Sequence, residues 1–245
     1  MSIDLANYEE RAKTATQLFW KSRLSAKMDQ KAKGNTDQGE RSGVTAGKNM
    51  DGFLGLMIDV IRANGLTNVD FHIEKKVLTL PGYFRPTKLW DLLVMRDKQL
   101  IAAIELKSHV GPSFGNNFNN RCEEAIGMAH DFFVAYREGA FGDHPAPFTG
   151  WLILLEDDPK SQSAINDKAP HYPVFKEFQG ASYADRYNIL CRKLMQEKLY
   201  TAASVITSPR TAESTGVYNE ISKSTGLKMF FSELAAHAAK ECVRG

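Results

Sequence analysis

Apolar positions along the chain switch between helical and strand spacing. Over residues 3 to 27, Leu5, Tyr8, Ala12, Ala15, Leu18 and Phe19 recur at helical intervals, which predicts an amphipathic first helix. The polar stretch "KMDQKAKGNTDQGERSGVTAGKN" then reads as a long, mobile or ligand-ordered loop. Asn49 is placed to cap a helix over "MDGFLGLMIDVIRANG", with Phe53, Leu54, Met57, Ile58 and Ile61 as its apolar stripe and Gly65 as its stop. Strands are expected in "VDFHIEK" and in a hairpin spanning "KLWDLLVMRDKQLIAAIELKSHVG". "HVGPSFGNNFNNR" reads as a Gly/Asn-rich loop, with Asn120 and Glu123 capping a helix over "CEEAIGMAHDFFVAYREG". In that helix Ala125, Ile126, Ala129, Phe132, Phe133 and Tyr136 are expected to face inward. "WLILLED" is apolar on both faces and predicts a fully buried strand. Helices are expected near Tyr183 to Ala203 and from Lys228 to Cys242. This order predicts an α/β architecture, a central mixed sheet flanked by helices, with no internal repeat.

A chain of 245 residues with 43% hydrophobic and 24% charged content can bury a substantial core without disulfides. A single domain is expected, with a catalytic core over roughly 40–160 and a helical C-terminal part over roughly 180–245. The net charge of +2 neither supports nor excludes nucleic acid, so any such partner needs a local basic surface. Cys122, Cys191 and Cys242 are odd in number and lack CxxC spacing, which argues against a disulfide framework and a zinc cluster and points to a reducing, cytoplasmic setting. The N-terminal segment has no basic start followed by an apolar core, and no apolar run approaches membrane-spanning length.

The hairpin carries the candidate chemistry. Asp91, Glu105 and Lys107 stand where Val or Ile would pack better. Alternation puts Glu105 and Lys107 on one face, with Leu106 offering only its backbone carbonyl. A three-residue turn at Asp97, Lys98 and Gln99 sets Leu93 opposite Ala103 and Asp91 opposite Glu105. Carboxylates about 5 Å apart repel by roughly 3 kcal/mol at an effective dielectric of about 20, so a cation is required. Two carboxylates with an adjacent ammonium suit Mg²⁺, which takes hard oxygen ligands and keeps several waters. Most Glu-x-Lys pairs on strands are solvated ion pairs; flanks as apolar as "WDLLV" and "LIAAIEL" favour a site instead.

Asp91 followed by Glu105-Leu106-Lys107 resembles the PD-(D/E)xK nuclease signature, with Trp90 where the motif has Pro. The blocks "GERSGVTAGKNMDGFL", "LTLPGYFRPTKLWDLLV", "ELKSHVGPSFGNNFNNR", "PFTGWLILLED" and "FQGASYADRYNILCRKL" are similar, in order, to type II restriction endonucleases of the XhoI kind. The resemblance runs from about Asn7 to Tyr200. It implies a restriction-endonuclease-like core and a homodimer that cuts the palindrome CTCGAG in double-stranded DNA with Mg²⁺, leaving recessed 3′ ends. Asp91, Glu105 and the Leu106 carbonyl are the implied metal ligands and Lys107 the catalytic amine.

Among the remaining candidates, Glu40 is a further candidate catalytic carboxylate, and Asp51 reads more simply as an acid at a helix N-terminus. Asn116, Asn117, Asn119, Asn120 and Arg121 carry the amide and guanidinium groups that read adenine and guanine. Arg41, Lys48, Asn49, Arg85, Lys88, His109 and Ser113 are candidates for DNA contacts of a more generic kind. The six histidines show no metal-ligand spacing. The alternatives to a site-specific endonuclease are a structure-selective or repair nuclease of the same fold and a DNA-binding protein that does not cleave.

Overall fold

The computed structural model describes residues 3–32 and 50–244. Glu40, Arg41, Lys48 and Asn49 lie outside the described residues, as does most of the polar stretch around them. Helix α1 (Tyr8–Ala32) buries Ala12, Ala15, Phe19 and Trp20 and leaves Leu18 exposed. It packs against α2 (Asp51–Ala63), which buries Phe53, Leu54, Met57 and Ile61 as the periodicity predicts. Their backbones approach so closely that a Cβ on Gly52 would lie 2.8 Å from Ala15.

The chain then forms β1 (Asp70–His72), β2 (Thr79–Pro81), β3 (Thr87–Leu89), β4 (Leu92–Arg96) and β5 (Gln99–His109). Helix α3 (Phe114–Arg137) connects to β6 (Phe148–Glu156), a short α4 (Pro159–Gln162) and α5 (Tyr183–Gln196) lead to β7 (Ala202–Ser208), and α6 (Ala212–Thr215), β8 (Asn219–Glu220) and α7 (Leu227–Arg244) complete the described chain. Among the described residues the main sheet has six strands in the order β1-β4-β5-β6-β7-β8, while β2 and β3 pair as a separate hairpin. Strands β5, β6 and β7 run parallel and their outer neighbours antiparallel.

The parallel centre is covered on both sides, as such sheets require. One face carries Leu92, Val94, Ile104, Leu106, Leu152, Leu154 and Ile206 into a core shared with α1, α2 and α7. The opposite face carries Trp151, Ile153, Leu155, Ala203 and Val205 against α3 and α5. Glu105 lies beside Trp151 in the β5–β6 register and shares this second face.

Four expectations are corrected. The segment Ala202–Ser208, expected partly as helix, is strand β7 and is buried throughout, so the C-terminal part contributes to the sheet as well as to its helical cover. Helix α3 starts at Phe114, eight residues before Cys122; Phe114 and Phe118, four apart, are both buried and extend its apolar stripe through the Asn-rich segment. Asn120 is therefore inside the helix and no cap. Ile126 and Phe133 face solvent. The β4–β5 turn has two residues, Asp97 and Lys98, with Asp97 at φ 53°. A bulge at Ile101 absorbs the difference, so Leu93 still faces Ala103 and Leu92 faces Ile104.

Candidate active site

The first determinant of the site is where β4 begins. Trp90 is buried edge-on against Phe132, with ring centroids 5.2 Å apart, and its backbone N–H donates to the Leu78 carbonyl at 3.0 Å. A proline at this position would have no such donor, so Trp90 adds a rung that carries the β2–β3 ladder up to the start of β4. Asp91 then sits one residue beyond the ladder, its N–H on the Ile104 carbonyl at 3.1 Å. Its carboxylate does not stand squarely across from Glu105 as the register alone suggests. One oxygen, Oδ2, accepts the Leu106 N–H at 2.8 Å, which leaves Oδ1 directed away from that bond. In an extended strand the N–H and C=O of one residue point to the same edge. The Leu106 carbonyl therefore also faces the gap left where β4 has ended.

Glu105 is only 2% exposed and ion-pairs with Lys107. It meets a second cation as well: the Lys88 ammonium lies 3.3 Å from Oε2 and 3.5 Å from Oε1. Burial raises the Glu105 carboxyl above its ordinary range, with the Asp91 charge adding to the effect and Lys107 and Lys88 opposing it. Burial also lowers the Lys88 ammonium, helped by the Lys107 charge and resisted by Glu105 and Asp91. Asp91, Glu105, Leu106 and Lys107 thus converge on one gap at the end of β4. Two carboxylates and a carbonyl form a hard-oxygen donor set that fits Mg²⁺, an ion that keeps part of its water shell. Among the described residues no group of three or more His, Cys, Asp or Glu forms a fuller metal cage.

The other candidates fall into different places. Asn116, Asn119 and Asn120 are exposed on the first turns of α3, Asn117 and Arg121 are half-buried, and Arg121 pairs with Glu124. Ser113 is the residue before α3, and its carbonyl faces His109. His109 is corrected as a phosphate contact: it is buried, with Nδ1 2.7 Å from the Tyr187 hydroxyl and Nε2 3.3 Å from the Ser113 carbonyl. Arg85 is bound to Asp131 through Nε at 2.7 Å and supports the hairpin tip. Asp51 lies in the first turn of α2.

Two features escaped the sequence reading. Lys88, expected only as a generic DNA contact, ion-pairs with the Glu105 carboxylate. Asp131, buried in α3, accepts the N–H groups of Tyr83 and Phe84, each at 2.8 Å, as well as Arg85. The signal available for Asp131 was a carboxylate on the apolar side of a helix, flanked by Met128 and Phe132.

A mixed sheet between helices, with Asp and Glu-x-Lys gathered at the open end of a hairpin, is the core of a PD-(D/E)xK nuclease. The family follows from comparison with known proteins: the chain belongs to the XhoI restriction endonuclease family, whose model, described as restriction endonuclease XhoI, matches residues 29–220. Similar proteins include the type II restriction enzyme XhoI of Xanthomonas vasicola, 56% identical over 80% of this chain and 78% of the relative. The type II restriction enzyme AbrI of Azospirillum brasilense is 58% identical over 70% of this chain and 77% of its own. The type II restriction enzyme BstVI of Geobacillus stearothermophilus is 44% identical over 87% of this chain and 97% of its own. No solved structure matches the chain. Family and relatives make this chain a type II restriction endonuclease.

Proposed function

We propose that the chain cleaves both strands of double-stranded DNA at the palindrome CTCGAG by Mg²⁺-assisted hydrolysis, acting in the cytoplasm as a homodimer with one site per strand and each chain serving as a single endonuclease domain. The observation that carries this reading is the convergence of Asp91, Glu105, the Leu106 carbonyl and Lys107 at the end of β4. Asp91 and Glu105 hold the ion, and the Leu106 carbonyl supplies a neutral third ligand. When bound, the divalent ion neutralises the scissile phosphate and makes water a better nucleophile at neutral pH. Lys107 orients the attacking water and stabilises the charge that builds on the pentacovalent phosphorus. A twofold palindrome calls for a twofold protein. The exposed amides of Asn116, Asn119 and Asn120 supply candidate base readers, and Lys88 and Ser113 candidate phosphate contacts.

The test compares Asp91→Asn, Glu105→Gln and Lys107→Met with the parent enzyme. Cleavage of a CTCGAG duplex in Mg²⁺ is expected to fall by roughly 10²-fold or more in each, while binding of the same duplex in Ca²⁺ stays within about tenfold. Cleavage near the parent rate in any of the three would remove that residue from its role. Preferential cutting of branched or damaged duplexes over CTCGAG would favour a repair nuclease instead.

A further inference from the structure

Glu105 is paired with two cations at once. Lys107 approaches from two residues along the same strand, and Lys88 comes from a different element and spans both carboxylate oxygens at 3.3 and 3.5 Å. The position of Lys88 is built. Its ammonium also donates to the Leu89 carbonyl and lies 5.8 Å from the centre of the Trp90 ring. The strand that carries it is paired with β2, Leu89 facing Thr79, and the hairpin tip is pinned by Asp131. Asp91 and Glu105 contribute two negative charges to the gap, and Lys88 and Lys107 contribute two positive ones. The gap is therefore neutral before any ion arrives.

We propose that Lys88 is a displaceable stand-in for the divalent ion. It covers both oxygens of Glu105 in the metal-free enzyme and leaves that carboxylate when the ion binds. This rests on reading Asp91, Glu105 and Leu106 as the ion's ligands. With Lys107 already on Oε1 of Glu105, a second ammonium that reaches both oxygens leaves no oxygen of that carboxylate open to the ion and adds to the repulsion the ion meets, and Lys107 is needed beside the reacting phosphate. Lys88 is the cation that leaves, because it projects from a hairpin outside the main sheet, whereas Lys107 is carried on β5 itself. Once displaced, it remains at the mouth of the gap as a donor to the DNA backbone. Lys88 is thus a positioning residue that sets how readily the metal is taken up.

The test is Mn²⁺ binding to the full-length chain without DNA, followed by the electron paramagnetic resonance of free Mn²⁺. Lys88→Met and Lys88→Gln, which keep the stem and remove the charge, are expected to bind Mn²⁺ about tenfold more tightly than the parent. Lys88→Arg is expected to stay near the parent, and so is Lys98→Met, which removes a charge from the exposed β4–β5 turn. Glu105→Gln is expected to lose the site. Structural damage from either uncharged variant would weaken binding, so a gain in affinity separates the two explanations. If Glu105→Gln abolishes binding while both uncharged Lys88 variants bind no more tightly than the parent, the stand-in role is overturned and the ligand set survives. If Glu105→Gln binds as the parent does, the ligand set falls and the role of Lys88 with it.

Discussion

At the scale of single residues, His109 illustrates how burial changes what a side chain can do. It shares the strand face of Glu105 and Lys107, but by this point α5 has closed over the sheet, so Tyr187 and the Ser113 carbonyl take both ring nitrogens. Those partners assign the proton to Nε2. Burial lowers the imidazole pKa to about 4, with the Arg121 charge assisting and the Ser113 carbonyl and Glu156 resisting. The unfolded chain takes up this proton near pH 6.5 and the folded one only near 4. Stability is therefore fully present above about 6.5 and declines as pH falls toward 4, by up to roughly 3 kcal/mol. His237 is half-buried and lowered in the same direction, so the whole acid limb does not belong to His109. His109→Gln is expected to cost stability at pH 7 but to flatten the decline between pH 6.5 and 4.5 in urea titrations. An unchanged slope would show that His109 is not a source of the acid sensitivity.

At the scale of elements, the β2–β3 hairpin is the part the sequence disclosed least. Its strands have three residues each, too short for alternation to register, and Tyr83 and Phe84 at its tip are 55% and 66% exposed. What holds it is a carboxylate some 46 residues or more away in α3. Burial alone would raise the Asp131 carboxyl, but the donors from Phe84, Arg85 and Tyr83 outweigh it and hold the group below its usual range. Gly82 is part of the same fit, since a Cβ there would lie 2.6 Å from the Asp131 carboxylate and 2.7 Å from the Arg85 carbonyl. Asp131→Ala leaves those backbone donors without a partner and is expected to cost about 1–3 kcal/mol. Hydrogen exchange at Tyr83 and Phe84 is expected to accelerate in that variant; protection equal to the parent would mean the hairpin is held by something else. By contrast, α2, α7 and β6 were legible because long runs of apolar residues keep one period. Strand β7 was not, since "AASVITS" follows a helix closely and its buried Ser204 and Ser208 read as polar breaks. Asp91, Glu105 and Lys107 were legible as a cluster because the hairpin register is local. Lys88 was not, because its place 17 residues from Glu105 depends on how a second hairpin folds back over β5.

At the scale of the molecule, the sheet fixes the site from both ends. Arg96 at the β4–β5 turn donates to the Glu241 carbonyl at 2.9 Å and lies 3.3 Å from its carboxylate, clamping the closed end of the hairpin to α7. The open end is left to diverge where Asp91 turns out of the ladder, and there the carboxylates and lysines collect. Among the described residues no helix is long and apolar enough to cross a membrane, and Cys122, Cys191 and Cys242 are free thiols. The measurement that bears most directly on the proposed reaction is a digest of one fully sequenced plasmid with the purified chain in Mg²⁺, each fragment end read on both strands. Every end is expected to fall at CTCGAG with a recessed 3′ terminus, and none is expected to form when the Mg²⁺ is chelated. Ends scattered over unrelated sequences, or the same cuts without a divalent ion, would contradict it.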